Sequence, residues 1–286
     1  MSRRNRKRPS PRRSLKSNNQ FMNNQVIKIE VKENLKEAIR QAVDGLGGFG
    51  QFIKSGDKIL IKPNWNTSHQ YPGSSDREFV GIFADLCHEA GAGEVTVGDA
   101  STVFLITANV MRKWGSNKLM DGRPWLKIVD LSKGKYVKKD VPNGKYLKTV
   151  SMPDLLYQVD KVFILPCLKT HSMAQFTGSI KIAVGILKRS ERWMMHASHL
   201  QEKIAEINAA YKPDLIVMDA RKCFITGGPM TGTVREPKLV MASTDRIAID
   251  LEGVKIIQGF EGNSLAGIKP EELPQIKRAL ELGIDQ

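Results

Sequence analysis

The run KVFILPCLKTH at residues 161–171 decides the fold. Val162, Phe163, Ile164 and Leu165 are apolar without a break, the pattern of a strand covered on both faces; a half-exposed strand would alternate. Pro166 has no N–H to donate to a ladder, so the strand closes there. Just beyond it stand Lys169 and His171. A strand covered twice needs helices above and below, so the flanking sequence should alternate between the two kinds of element.

It does. VIKIEV (26–31), KILIK (58–62), EVTVG (94–98), LKIVDL (126–131), LIVMD (215–219) and KLVMAS (238–243) read as strands. Residues 33–43, 77–90, 103–114, 198–211, 245–258 and 273–282 carry the apolar spacing of helices that face a core. The expected fold class is α/β, a mostly parallel sheet flanked by helices. Ser132–Val150 breaks the rhythm, and its Asn143-Gly144 pair with alternating apolar residues predicts a small inserted β-hairpin. GLGGFG at 45–50 has the spacing of a dinucleotide-binding loop. It follows a helix and precedes a strand, the reverse of the order that motif needs, so it reads as a helix stop.

Composition narrows the class. The chain is 41% hydrophobic and 26% charged, with a mean hydropathy of −0.30. No apolar run approaches the ~18–20 residues that span a bilayer, so no membrane contact is expected. Eight basic residues and no acid fall in residues 1–17, which accounts for more than half of the net +14. A disordered tail is expected at 1–24, followed by a single domain at 25–286 with 25–131 and 151–286 as candidate sub-lobes. No apolar segment follows the basic residues, so no secretory signal is expected in the tail. It reads either as an electrostatic contact for nucleic acid or as a solubilising extension. Cys87, Cys167 and Cys223 are too few and too scattered for a disulfide framework, which fits a cytoplasmic location.

In a parallel sheet, ligands bind beyond the carboxyl ends of the strands. Polar clusters fall there at Lys62–Asn66, Gly98–Ser101, Lys169–His171 and Asp219–Arg221. The segment Leu165–His199 gathers Lys169, His171, Lys181, Lys188, Arg189, Arg192, His196 and His199, with Glu191 as its only carboxylate. Desolvated cations need partners, and an anionic ligand would supply them. An ammonium and two imidazoles can provide a nucleophile or cofactor anchor, a metal ligand and a general base. The catalytic candidates are therefore His171, Lys181 and His196. Lys62, Asn64, Asp99, Lys169, Asp219 and Gly228 are the candidates for cofactor binding. His196 and His199, spaced i, i+3, are either a metal or base pair or simply helix-start histidines. TGGPMTG at 226–232 is either an anion-binding nest or a surface turn.

KPNWN (62–66), VGDAS (97–101), LPCLKTH (165–171), TGSIK (177–181), HASHLQEKIAEINAAYKPDLIVMDA (196–220), GGPMTG (227–232) and STDRIAIDLEGVKII (243–257) occur in this order. In these motifs the chain resembles the prokaryotic family called domain of unknown function 362, over about residues 45–286. Many members carry ferredoxin-like cysteine clusters; this chain has none, so no intrinsic iron–sulfur cluster is expected. It departs from the family at Ile182, where asparagine is usual. The run from His171 through Thr177-Gly178 and Lys181 to His196 is also similar to nickel-pincer lactate racemases. That similarity implies Lys181 as the tether of a nucleotide-derived pincer cofactor, His196 as a nickel ligand and His171 as an acid/base. The second catalytic histidine of the racemases would fall near Asp99-Ala100-Ser101, where none occurs, which counts against two-base racemisation.

The expected function is an enzyme acting on a small anionic metabolite or a nucleotide-derived cofactor. The alternatives are a nucleic-acid-associated protein using the tail, and a non-catalytic cofactor-binding or maturation factor.

Overall fold

Alternation along the strands sorts the apolar side chains to two faces. In the computed structural model, which describes residues 25–195 and 197–286, KILIK sends Ile59 and Ile61 into one apolar cluster and Leu60 into another. Phe163 likewise parts from Val162 and Ile164, and Val217 from Ile216 and Met218. Helices Leu35–Asp44 and Arg77–Glu89 close the first face with Ile39, Val43, Phe79 and Phe83. Helices Leu200–Ile207, Arg246–Gln258 and Pro274–Glu281 close the second with Ile204, Ile257 and Ile276. Each fully buried Ile, Leu or Phe stabilises the fold by roughly 1.5–3 kcal/mol relative to exposure.

The strands are β1 (Ile27–Glu30), β2 (Lys58–Lys62), β3 (Glu94–Asp99), β4 (Leu126–Asp130), β5 (Tyr136–Asp140), β6 (Thr149–Pro153) and β7 (Lys161–Ile164). They continue with β8 (Cys167–His171), β9 (Gln175–Thr177), β10 (Leu215–Gly227), β11 (Gly232–Arg235) and β12 (Leu239–Ser243). One sheet of ten strands runs β1-β12-β10-β7-β2-β3-β4, with β8 and β11 also on β10 and β9 on β8. The central pairs β10/β7, β7/β2, β2/β3 and β3/β4 are parallel, and β12 joins antiparallel. The inserted hairpin forms from β5 and β6, with Tyr136 opposite Pro153.

Two segments differ from their sequence reading. The strand at 161–166 ends at Ile164, and beyond Pro166 the chain starts a new hairpin, β8–β9, in which His171 faces Gln175. The helix expected from Val103 begins at Thr107 instead. The Thr107 hydroxyl bonds the Ser101 N–H at 3.1 Å, and Leu105 N–H bonds Thr102 carbonyl at 3.1 Å, so residues 102–105 form a turn.

The connection β2→β3 carries helix Arg77–Glu89 over the first face, whereas β7→β10 carries helix Leu200–Ile207 over the second. Between β2 and β7, therefore, the connections change face. Crevices open beyond the carboxyl ends of strands at such a point. No helix among the described residues is long and apolar enough to cross a membrane. The basic tail at 1–24, read as a nucleic-acid contact or a solubilising extension, lies outside the described residues.

Candidate functional site

A cavity of about 530 Å³ lies at the change of face, lined from the ends of β2, β3 and β8 and by the segment after β9. Its base is a clamp. Lys62 Nζ donates to Asp99 Oδ1 at 2.7 Å and to the Pro63 carbonyl at 2.9 Å. Asp99 accepts in addition from the N–H groups of Trp65 and Ala100, each at 2.6 Å. The pair is 3% and 2% exposed. Burial draws the Lys62 pKa down while Asp99 opposes that fall. The motifs KPNWN and VGDAS thus tie two strand ends together before they offer anything to a ligand.

Lys169, only 1% exposed, donates to the carbonyls of Gly73 at 2.5 Å and Pro229 at 3.0 Å. It has no carboxylate partner among the described residues, and burial lowers its pKa to about 8. Lys181 opens the 3-10 helix Lys181–Ile186, is partly buried, and makes no hydrogen bond or ion pair with a described residue. Burial, with Lys169 and Lys62 nearby, lowers its pKa to about 7.

The turn that delivers Lys181 is held from below by Asp250, a residue that motif reasoning passed over. Its carboxylate accepts from Ser179 N–H at 2.6 Å, the Ser179 hydroxyl at 2.8 Å and Ile180 N–H at 3.0 Å. Gly178 is glycine because a Cβ there would stand 2.2 Å from Asp250 Oδ1. At Gly185 a Cβ would stand 2.7 Å from Asp99 Oδ1 and 2.8 Å from Lys62 Nζ. Both glycines let backbone approach a buried charge.

His171 lines the cavity, and its Nδ1 accepts from the N–H groups of Met173 and Ala174, each at 3.1 Å. That assignment leaves the proton of the neutral ring on Nε2. Asn64 also lines the cavity; its backbone is tied to Ser75, and its side-chain amide bonds no described residue. Gly228 stands beside the cavity in the β10–β11 turn, accepting from Ser172 N–H and donating to Thr231 carbonyl. Pro229 and Met230 of that turn line the wall, so TGGPMTG reaches the site. Asp219 does not line the cavity. It is held by Tyr71 at 2.7 Å and by Arg221, which also bridges to Asp76. Ile182, the departure from the family pattern, is 5% exposed in the core. His196 lies outside the described residues. His199 is half exposed and stacks on Tyr146 with ring centroids 4.2 Å apart.

Arg192, His69, Thr177 and Phe104 are among the cavity residues that sequence reasoning did not name as site candidates. Arg192, assigned only to a general excess of charge, donates to the carbonyls of Ala100 and Ser101. His69 is hydrogen-bonded through Nδ1 to the Thr67 hydroxyl at 2.8 Å. Thr177, 3% exposed, keeps a hydroxyl with no partner among the described residues. Phe104 enters through the turn that the helix reading had hidden.

Lys62, Lys169, Lys181 and Arg192 line the cavity against a single carboxylate, Asp99. Asp99 already accepts three hydrogen bonds, one of them from Lys62, and Lys169 and Lys181 have no carboxylate partner among the described residues. Among the described residues no group of three His, Cys, Asp or Glu side chains could hold a metal ion.

Known proteins share this chain's sequence and fold. It is 30% identical over 262 residues to the Thylakoid-associated protein sll1697 of Synechocystis sp. (strain ATCC 27184 / PCC 6803 / Kazusa), covering 88% of this chain and 76% of that one. The lactate racemase apoprotein from Thermoanaerobacterium thermosaccharolyticum has the same fold at 12% identity, with a TM-score of 0.50 over 80% of this chain. This chain spans 57% of the racemase's length. The family model Domain of unknown function (DUF362) matches residues 59–255, which include every residue lining the cavity, and the chain belongs to that family.

Proposed function

We propose that the protein is an enzyme whose cavity binds a small anionic metabolite or an anionic, nucleotide-derived cofactor. One observation carries the reading: two buried or partly buried lysines, Lys169 and Lys181, line one cavity without a carboxylate partner among the described residues. A buried cation left unpaired is costly, and a bound carboxylate or phosphate removes that cost. The Thr177 hydroxyl, without a partner among the described residues, and the Asn64 amide add neutral hydrogen-bonding groups to the same wall.

In this reading Lys169 holds the anion beside the Lys62–Asp99 pair, and His171 lines the same wall. Lys181, with a pKa of about 7, exists near neutral pH as both ammonium and amine. As the amine it is a nucleophile or a covalent anchor; as ammonium it joins the anion's contacts.

The test is isothermal titration of the full chain with inorganic phosphate and short carboxylates, paired with native mass spectrometry for a covalent adduct. Lys169→Met and Lys181→Met should each weaken binding at least about tenfold while still melting cooperatively, the loss expected for one buried charge contact. Binding that survives both substitutions unchanged would overturn the reading.

A further inference from the structure

The mouth of the cavity is as distinctive as its floor. Phe104 is 76% exposed, Met173 54%, Met230 46% and Leu105 40%, and all four line the same cavity as Lys169 and Lys181. Trp193, 60% exposed, packs edge-on against Phe104 with ring centroids 5.3 Å apart. These five come from separate places in the chain: the turn before helix Thr107–Trp114, the β8–β9 turn, the β10–β11 turn and the helix Arg189–Met195. Isolated exposed apolar residues are ordinary, but a contiguous group rimming a polar pocket marks a binding surface.

We infer that the ligand is an anionic amphiphile, with a carboxylate or phosphate head on the cationic floor and an apolar tail against the mouth. The inference rests on the proposal that the cavity binds an anion, and it names the class of molecule. The order of zones carries it. Charge sits at the buried floor, with Lys169 1% exposed, and the apolar side chains stand outside it. A single molecule entering head first reaches those cations, whereas a planar surface cannot. The two methionines at the mouth suit a flexible tail, because an unbranched thioether adapts to varied shapes.

The experiment titrates the full chain with acetate, butyrate, hexanoate and octanoate, each below its micelle concentration, and with inorganic phosphate. Sedimentation with phosphatidylcholine vesicles doped with phosphatidylglycerol runs alongside. The amphiphile proposal expects affinity to rise roughly two- to fourfold per added methylene, the upper figure being full burial. The rise should flatten in the double variant Phe104→Ser, Met173→Ser, whose exposed positions leave cooperative melting intact. If acetate and octanoate bind equally well, the amphiphile inference fails and the anion site stands. If neither the acids nor phosphate bind, both fall. If vesicles bind but octanoate does not, the mouth is a membrane-facing patch and the inference is overturned.

Discussion

Replacing Lys181 with methionine should stabilise the folded chain at neutral and lower pH. The side chain has an ordinary pKa of ~10.4 when unfolded and about 7 when folded. Below the folded value the ammonium is held against burial and two neighbouring lysines. The full linkage cost would be on the order of 4–5 kcal/mol. Lys181 is only partly buried, and water in the cavity screens it, which leaves about 2 kcal/mol. For a domain of this size that is a rise in Tm of about 4–8 °C. Because the folded pKa is depressed, the penalty is complete below about 7, shrinks as pH rises and vanishes above the unfolded value. Urea denaturation of both proteins across pH ~6–10 should therefore show the variant ahead at the acid end and level at the alkaline end. A saturating anion should narrow the gap by stabilising the wild type more than the weaker-binding variant. A variant that is weaker at every pH by a constant amount would show that Lys181 is an ordinary structural cation, and the argument for a ligand-seeking amine would collapse.

Gly185→Ala would place a methyl within 2.7–2.8 Å of Asp99 Oδ1 and Lys62 Nζ, pushing a buried ion pair apart. The expected loss is about 2–4 kcal/mol by urea denaturation, and wild-type stability would show that the wall yields freely. Butyrate, whose own charge is constant above pH ~6, should bind more weakly as Lys181 and then Lys169 lose their protons, at pKa values of about 7 and about 8. The affinity should fall at least about tenfold between pH ~6.5 and ~9, and a flat profile would remove both lysines from contact with the anion.

The layers of the fold were legible in the sequence because burial on both faces leaves a simple mark. KVFIL and LIVM read as doubly covered strands, and the structure parts their side chains into two clusters on opposite faces. The boundaries that failed did so for reasons outside hydrophobic pattern. The expected helix at Val103 was undone by side-chain-to-backbone bonds between Ser101 and Thr107. The β8–β9 hairpin was hidden because CLKTH mixes apolar and charged residues, and its pairing to β10 comes from distant sequence.

The site was legible to a different degree, since residue type shows at the sequence level while partnership does not. Lys62, Asp99, Lys169 and Asp219 look alike in sequence, each being a charge at a strand end. Strand order separates them. β2 lies next to β3, so Lys62 and Asp99 satisfy each other; Asp219 is taken by Tyr71 and Arg221; among the described residues Lys169 finds only carbonyls. No spacing rule predicts that sorting, because it depends on which strands are neighbours. The placement of Lys181 depends on a contact about seventy residues away, where Asp250 receives the N–H groups of Ser179 and Ile180. The glycine of TGSIK is the trace that contact leaves in the sequence, since a Cβ at Gly178 would occupy the space of the Asp250 carboxylate. Lys181 follows a turn held by the buried Asp250 and faces a cavity whose one lining carboxylate is already committed to Lys62, the arrangement that the proposed anion would answer.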